Sequence, residues 1–133
     1  MKKLALLLLI LTPALFAQED PFADAFFPPE LIMQNQQVLG LTAEQKSLLR
    51  SEVQKAQSRF TDLQWQMQDE MQRLTAAARE VSPSEEKILT QLDKVLNLER
   101  EIKRTHIGLV VRMKRALTPE QQRKLQELKK TPR

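Results

Sequence analysis

The chain has no cysteine, no tyrosine, two glycines and a single histidine in 133 residues. Each shortage excludes a chemistry. Without Cys there is no disulfide and no thiol nucleophile, and with His106 alone a four-ligand Cys/His zinc site cannot be assembled in one chain. Gly40 and Gly108 are too few for a glycine-rich phosphate loop. The same scarcity favours helix. No nucleophile stands beside a base and no carboxylate pair is placed for acid–base work, so the residues read as those of a non-enzyme without catalytic residues or an organic cofactor.

What is present begins with an address. Lys2 and Lys3 precede an apolar run over 4–17, broken by polar residues from Gln18. About 13 apolar positions suit a secretory signal, whereas a membrane span needs roughly 20. Residues 1–17 are therefore expected to be a signal peptide that sends the chain to the periplasm and leaves no membrane span once cleaved. The small Ala17 suits a cut, but Leu15 at the minus-three position leaves the exact bond open. Charge is 21 basic against 17 acidic residues, and loss of Lys2 and Lys3 leaves a nearly balanced 19 against 17. That balance is not the footprint of a nucleic-acid binder.

Residues 18–29 hold three prolines and three phenylalanines without helical period, which predicts an extended lead-in whose Phe22, Phe26 and Phe27 either dock or stay free. A short helix over 30–39 should end at Gly40, in the left-handed position just past a helix end. Thr42-Ala43-Glu44-Gln45, Ser82-Pro83-Ser84-Glu85 and Thr118-Pro119-Glu120-Gln121 each place a hydroxyl three residues before Glu or Gln, the capping-box signature. Helices over 42–81, 83–117 and 118–130 follow, with a tail at 131–133. The two long ones, joined through Val81, Ser82 and Pro83, must fold back on each other. The expected fold is all-α, with one domain at 30–130: an elongated antiparallel helical hairpin with short flanking helices.

Two heptad seams support the hairpin. One runs Leu49, Val53, Ala56, Phe60, Leu63, Met67, Glu70, Leu74, Ala77, Val81; the other runs Ile88, Leu92, Val95, Glu99, Ile102, His106, Leu109, Met113, Ala116. Apolar residues remain outside them. Trp65, Leu89, Leu96, Ile107, Val110 and Val111 form a surplus surface that a two-helix hairpin cannot bury. Homodimerisation is the favoured explanation, with any remainder open to a client; terminal helices folded back over the surplus are the alternative. Glu52 with Lys55, Glu70 with Arg73, Glu99 with Lys103 and Glu101 with Arg104 have the spacing of solvated helix pairs. The methionines, Met33, Met67, Met71 and Met113, read as core fillers.

Leu41-Thr42-Ala43-Glu44-Gln45 and Leu117-Thr118-Pro119-Glu120-Gln121 are two LTxxQ motifs, one opening each half of the helical body. With the signal segment and the hairpin, they make the chain resemble the periplasmic LTxxQ superfamily, which joins Spy/CpxP-like chaperones to heavy-metal resistance and sensor proteins. The resemblance implies a homodimer whose partners are unfolded envelope proteins or a membrane-bound sensor, in envelope stress or metal tolerance. It does not choose between those roles. Metal-binding members use histidines with carboxylate and thioether ligands, which here leaves His106, Glu99 and Met67 as candidates for a divalent ion. Glu99 and His106 are seven residues apart, about 10.5 Å along one helix, whereas both ligands must lie near 2 Å from an ion. The seams place His106 level with Arg59 and Phe60, and Glu99 level with Gln66 and Met67. A packed seam histidine is the expectation; a ligand shared across a dimer is the alternative.

Overall fold

A computed structural model describes residues 20–131, so the expected signal segment lies outside the described residues. Those residues form six helices and no strand: α1 (Pro21–Asp24), α2 (Pro29–Gln34), α3 (Gln36–Leu39), α4 (Ala43–Ala78), α5 (Glu85–Arg115) and α6 (Pro119–Lys130). The long helices α4 and α5 pack on each other as the hairpin.

Local chemistry sets the boundaries. Thr42 and Thr118 close complete capping boxes with Gln45 and Gln121, and Pro119 occupies the first turn of α6, where no amide hydrogen is needed. The third expected box is corrected. α5 starts two residues later than the Pro83 start predicts, with the Ser84 hydroxyl accepting from the Lys87 amide at 3.3 Å, and Glu85 and Glu86 then fall in the first turn, where the helix dipole favours carboxylates. α4 correspondingly ends at Ala78, which leaves Val81 fully exposed in the connection rather than in the seam.

Two departures occur before α4. The predicted single helix over 30–39 breaks at Asn35, whose side-chain amide donates to the Leu31 carbonyl at 2.6 Å and competes with the helical ladder. Gly40 has φ 63°, the left-handed conformation expected of it. The lead-in is not wholly extended. Asp20 accepts from the Phe22 amide at 3.0 Å and Pro21 presets the first turn, giving the four-residue α1. Within it Phe22 is exposed; beyond it Phe26 is half-buried and Phe27 buried.

The core sits at one end. Phe27, Ile32, Leu39 and Leu41 from the N-terminal segments and Leu117 and Leu125 around α6 converge on Leu49, Ala56, Leu109 and Met113 of the hairpin. The terminal helices thus cover the hairpin base and, of the surplus set, Val110 is buried there, while Trp65, Leu89 and Leu96 stay exposed. Toward the connection, Leu63 and Val95 are the last fully buried seam residues; beyond them the hairpin is a bare two-helix strip.

The α5 seam also differs. Leu98 and Thr105 turn inward, while Glu99 and His106 are exposed. Val95, Leu98 and Ile102 satisfy a three-then-four step as well as Val95, Glu99 and Ile102 satisfy four-then-three. Burial decides between them. Leu98 enters without desolvating a charge, and the Thr105 hydroxyl is satisfied by the Glu101 carbonyl at 2.8 Å. Across the hairpin Arg59 pairs with Glu101, at 3.7 Å.

Polar stitches cross the hairpin on one flank: Glu52 with Arg112 at 2.6 Å, Arg59 with Glu101, and Glu70 with Gln91, which also donates to the Glu70 backbone carbonyl at 2.9 Å. Of the expected same-helix pairs, Glu70 with Arg73 forms at 3.2 Å, whereas Glu52 and Glu101 pair across the hairpin instead. Gly108 leaves room for the present route of one stitch. A Cβ there would stand 2.9 Å from the Arg112 guanidinium, which passes over the glycine on its way to Glu52.

Candidate functional site

The two LTxxQ motifs meet. Gln45 Nε2 donates to Gln121 Oε1 at 2.8 Å, and Gln121 Nε2 donates to Gln45 Oε1 at 3.1 Å, a reciprocal amide pair between the first turns of α4 and α6. Each Oε1 also accepts from its own cap amide, Thr42 at 3.0 Å and Thr118 at 2.9 Å. Each Nε2 reaches a carbonyl just before the opposite motif: Gln45 to Ala116 at 2.9 Å, Gln121 to Leu39 at 3.3 Å. Leu41 and Leu117 are buried beside this clasp, and Gln121 is only 8% exposed. The Thr caps the helix, the Gln completes the box and ties it to its twin, and the Leu anchors both in the core. With every amide position committed to protein partners, the motif is built to hold the base together.

The predicted surplus surface divides. Trp65, Leu89 and Leu96 are 65%, 50% and 45% exposed, and Met71, read from sequence as core, is 42% exposed. Ile107 and Val111 are half-buried and Val110 is buried. Trp65 lies on the outer side of α4, whereas Leu89 and Leu96 follow one line of α5, so the bare end carries several small apolar patches rather than one groove. Nearer the base, a cavity of about 600 Å³ opens between the hairpin and the α1 segment, lined by Phe26, Phe27, Val53, Phe60, His106 and Val110. Lys129 holds that segment by donating to the carbonyls of Asp24 and Phe26 at 2.7 and 2.8 Å, and Lys114 by donating to that of Ala25 at 2.8 Å.

The candidate metal ligands are not brought together. Glu99 and His106 are exposed two turns apart on α5, and Met67 is half-buried on α4. Among the described residues no three His, Asp or Glu side chains are placed to share an ion. The donor set of one chain does not fit a closed divalent site.

Among the described residues no helix is long and apolar enough to cross a membrane. No curated protein and no solved structure is significantly similar to the chain. A sequence model of one family, described as heavy-metal resistance, matches residues 4–124. That span takes in both LTxxQ motifs and both long helices, and the chain belongs to the heavy-metal resistance family.

Proposed function

We propose that this heavy-metal resistance protein acts in the periplasm as a non-enzymatic, homodimeric binder of partly unfolded envelope proteins, or of a sensor partner that reads the same stress. The observation that supports it is the exposure of Trp65, Met71, Leu89 and Leu96 on a hairpin end that no other described element covers. Apolar side chains exposed in small separate patches among charges suit weak, multiple contacts with a mobile chain. Metals damage proteins by displacing native ligands, and a holder of damaged chains gives resistance without binding the metal. The test is suppression of aggregation of a reduced or metal-damaged client. Suppression at equimolar or lower ratio is expected, weakened by Trp65→Ser with Leu96→Ser; no suppression at any ratio ends the client-binding version of this reading.

A second reading, a metal-binding sensor or buffer, is favoured by the family's description and by the exposure of His106, which a second copy can reach. Calorimetry with zinc, nickel and copper tests it. Binding that is unchanged by His106→Ala removes that residue as a ligand. Sedimentation at tens of micromolar tests the dimer that a shared site requires.

A further inference from the structure

The charge of the chain is divided along its length. Between residues 61 and 98, the bare end, Arg73, Arg79, Lys87 and Lys94 face seven carboxylates. Between residues 99 and 116 the balance reverses, with six cations against Glu99 and Glu101. Two of those cations are engaged, Arg112 with Glu52 and Lys114 with the Ala25 carbonyl, and Glu101 is engaged by Arg59. Arg100, Lys103, Arg104 and Arg115 remain exposed, and among the described residues none has an ion-pair partner. Arg100, Arg104, Ile107, Val111 and Arg115 follow steps of four, three, four and four, which puts them on one outward line of α5. The line is about 22 Å long, and Arg100, Lys103, Arg104 and Ile107 enclose a shallow depression on it.

From this face we infer that the base of the hairpin docks on an anionic phospholipid surface. Several guanidinium and ammonium groups spread over four turns match an extended array of phosphates better than one small anion, and half-buried Ile107 and Val111 between them suit the headgroup boundary. The acidic end is repelled by the same surface. This inference does not depend on the client-binding reading, which concerns the opposite end.

The experiment is co-sedimentation of the full chain with phosphatidylglycerol-containing vesicles and with pure phosphatidylcholine vesicles, at low and high salt. Each cation within a Debye length of about 10 Å contributes about a fivefold factor to binding an anionic surface. The combined variant Arg100→Gln, Lys103→Gln, Arg104→Gln is expected to bind the anionic vesicles roughly a hundredfold more weakly. Glu99→Gln should bind them about fivefold more tightly, since it removes the carboxylate beside the row. The apolar run over 4–17 is common to every variant, so the differences report the α5 face alone. Gln has a helix propensity like that of Arg and Lys, and circular dichroism checks that the exposed substitutions keep the fold. Suppression of client aggregation should survive the combined variant. An unaffected combined variant, or a loss of binding in it that is indifferent to salt or equal on both vesicle types, overturns the inference. Salt-sensitive binding of soluble poly-glutamate without vesicle binding also overturns it, in favour of an acidic protein partner or the acidic end of a second copy.

Discussion

Truncating one glutamine of the clasp should cost more stability than any other polar substitution on the molecule. Gln121→Ala removes the acceptor of the Thr118 amide and of the Gln45 side-chain amide, and the donor to Gln45 Oε1 and to the Leu39 carbonyl. Loss of the box costs about 1 kcal/mol. The groups left short of partners in a site where Gln121 is 8% exposed add about 1 to 3 kcal/mol. A total of roughly 2 to 4 kcal/mol is expected from urea unfolding followed by circular dichroism. Gln45 is half-buried, so Gln45→Ala should cost less, about 1 to 2 kcal/mol. The decisive quantity is the coupling. Because each amide is the other's partner, the double variant should cost about 1 kcal/mol less than the sum of the singles. Gln122, which donates to the carbonyls of Lys114 and Leu117, is the control, since its alanine variant should be additive with Gln45→Ala. A Gln121→Ala cost below about 0.5 kcal/mol, or strict additivity of the pair, would refute the account of LTxxQ as a structural clasp.

Gly108→Ala should gain up to about 1 kcal/mol of helix propensity and lose part of the partly exposed Arg112–Glu52 pair, leaving thermal stability equal or slightly higher; a marked loss would mean that the guanidinium has no other route to Glu52. Leu63→Ala should cost about 2 to 5 kcal/mol because Leu63 is buried, whereas Leu89→Ala on the exposed line of α5 should cost under about 0.5 kcal/mol; similar midpoints in urea for the two variants would contradict the seam. Trp65 is the only tryptophan, and its emission should resemble that of indole in water and shift to the blue when an unfolded client is added; an unshifted spectrum under conditions of full aggregation suppression would remove Trp65 from the contact surface.

Most of the fold is legible because its signals are short-range. Thr42 with Gln45, Thr118 with Pro119 and Gln121, and Gly40 state where helices begin and end, and the length of chain without Pro or Gly states that two of them are long. The failures lie where the choice is tertiary. Spacing alone cannot tell whether Val95 hands on to Leu98 or to Glu99, since both steps are helical; the cost of desolvating Glu99 and His106 selects Leu98 and Thr105. That single choice turns Glu99 and His106, two of the candidate metal ligands, out of the seam. The Ser82 box failed for a related reason: Ser84, followed by two glutamates, is the better cap. The meeting of Gln45 and Gln121 was not read from sequence at all. Its signal was the duplication of the motif, because two capping boxes with the same Leu and Gln at the same offsets are more alike than capping alone requires.

The clasp and the bare end are two consequences of one distribution of apolar residues. Ten buried side chains form the cluster at the base, drawn from α4, α5, α6, the α5–α6 connection and the segments before α4, and the amide pair joins the helix starts on which that cluster depends. Beyond Leu63 and Val95 none of the described residues is fully buried, and the seam there includes the polar contact of Glu70 with Gln91. Opening the distal turns therefore exposes little new apolar surface, while opening the base exposes the whole cluster. The apolar patches sit on the part of the molecule that deforms at least cost, and the motif that identifies the family sits on the part that cannot deform without unfolding. The client binding proposed above would use the end that deforms, and the paired glutamines hold the base to which that end is attached.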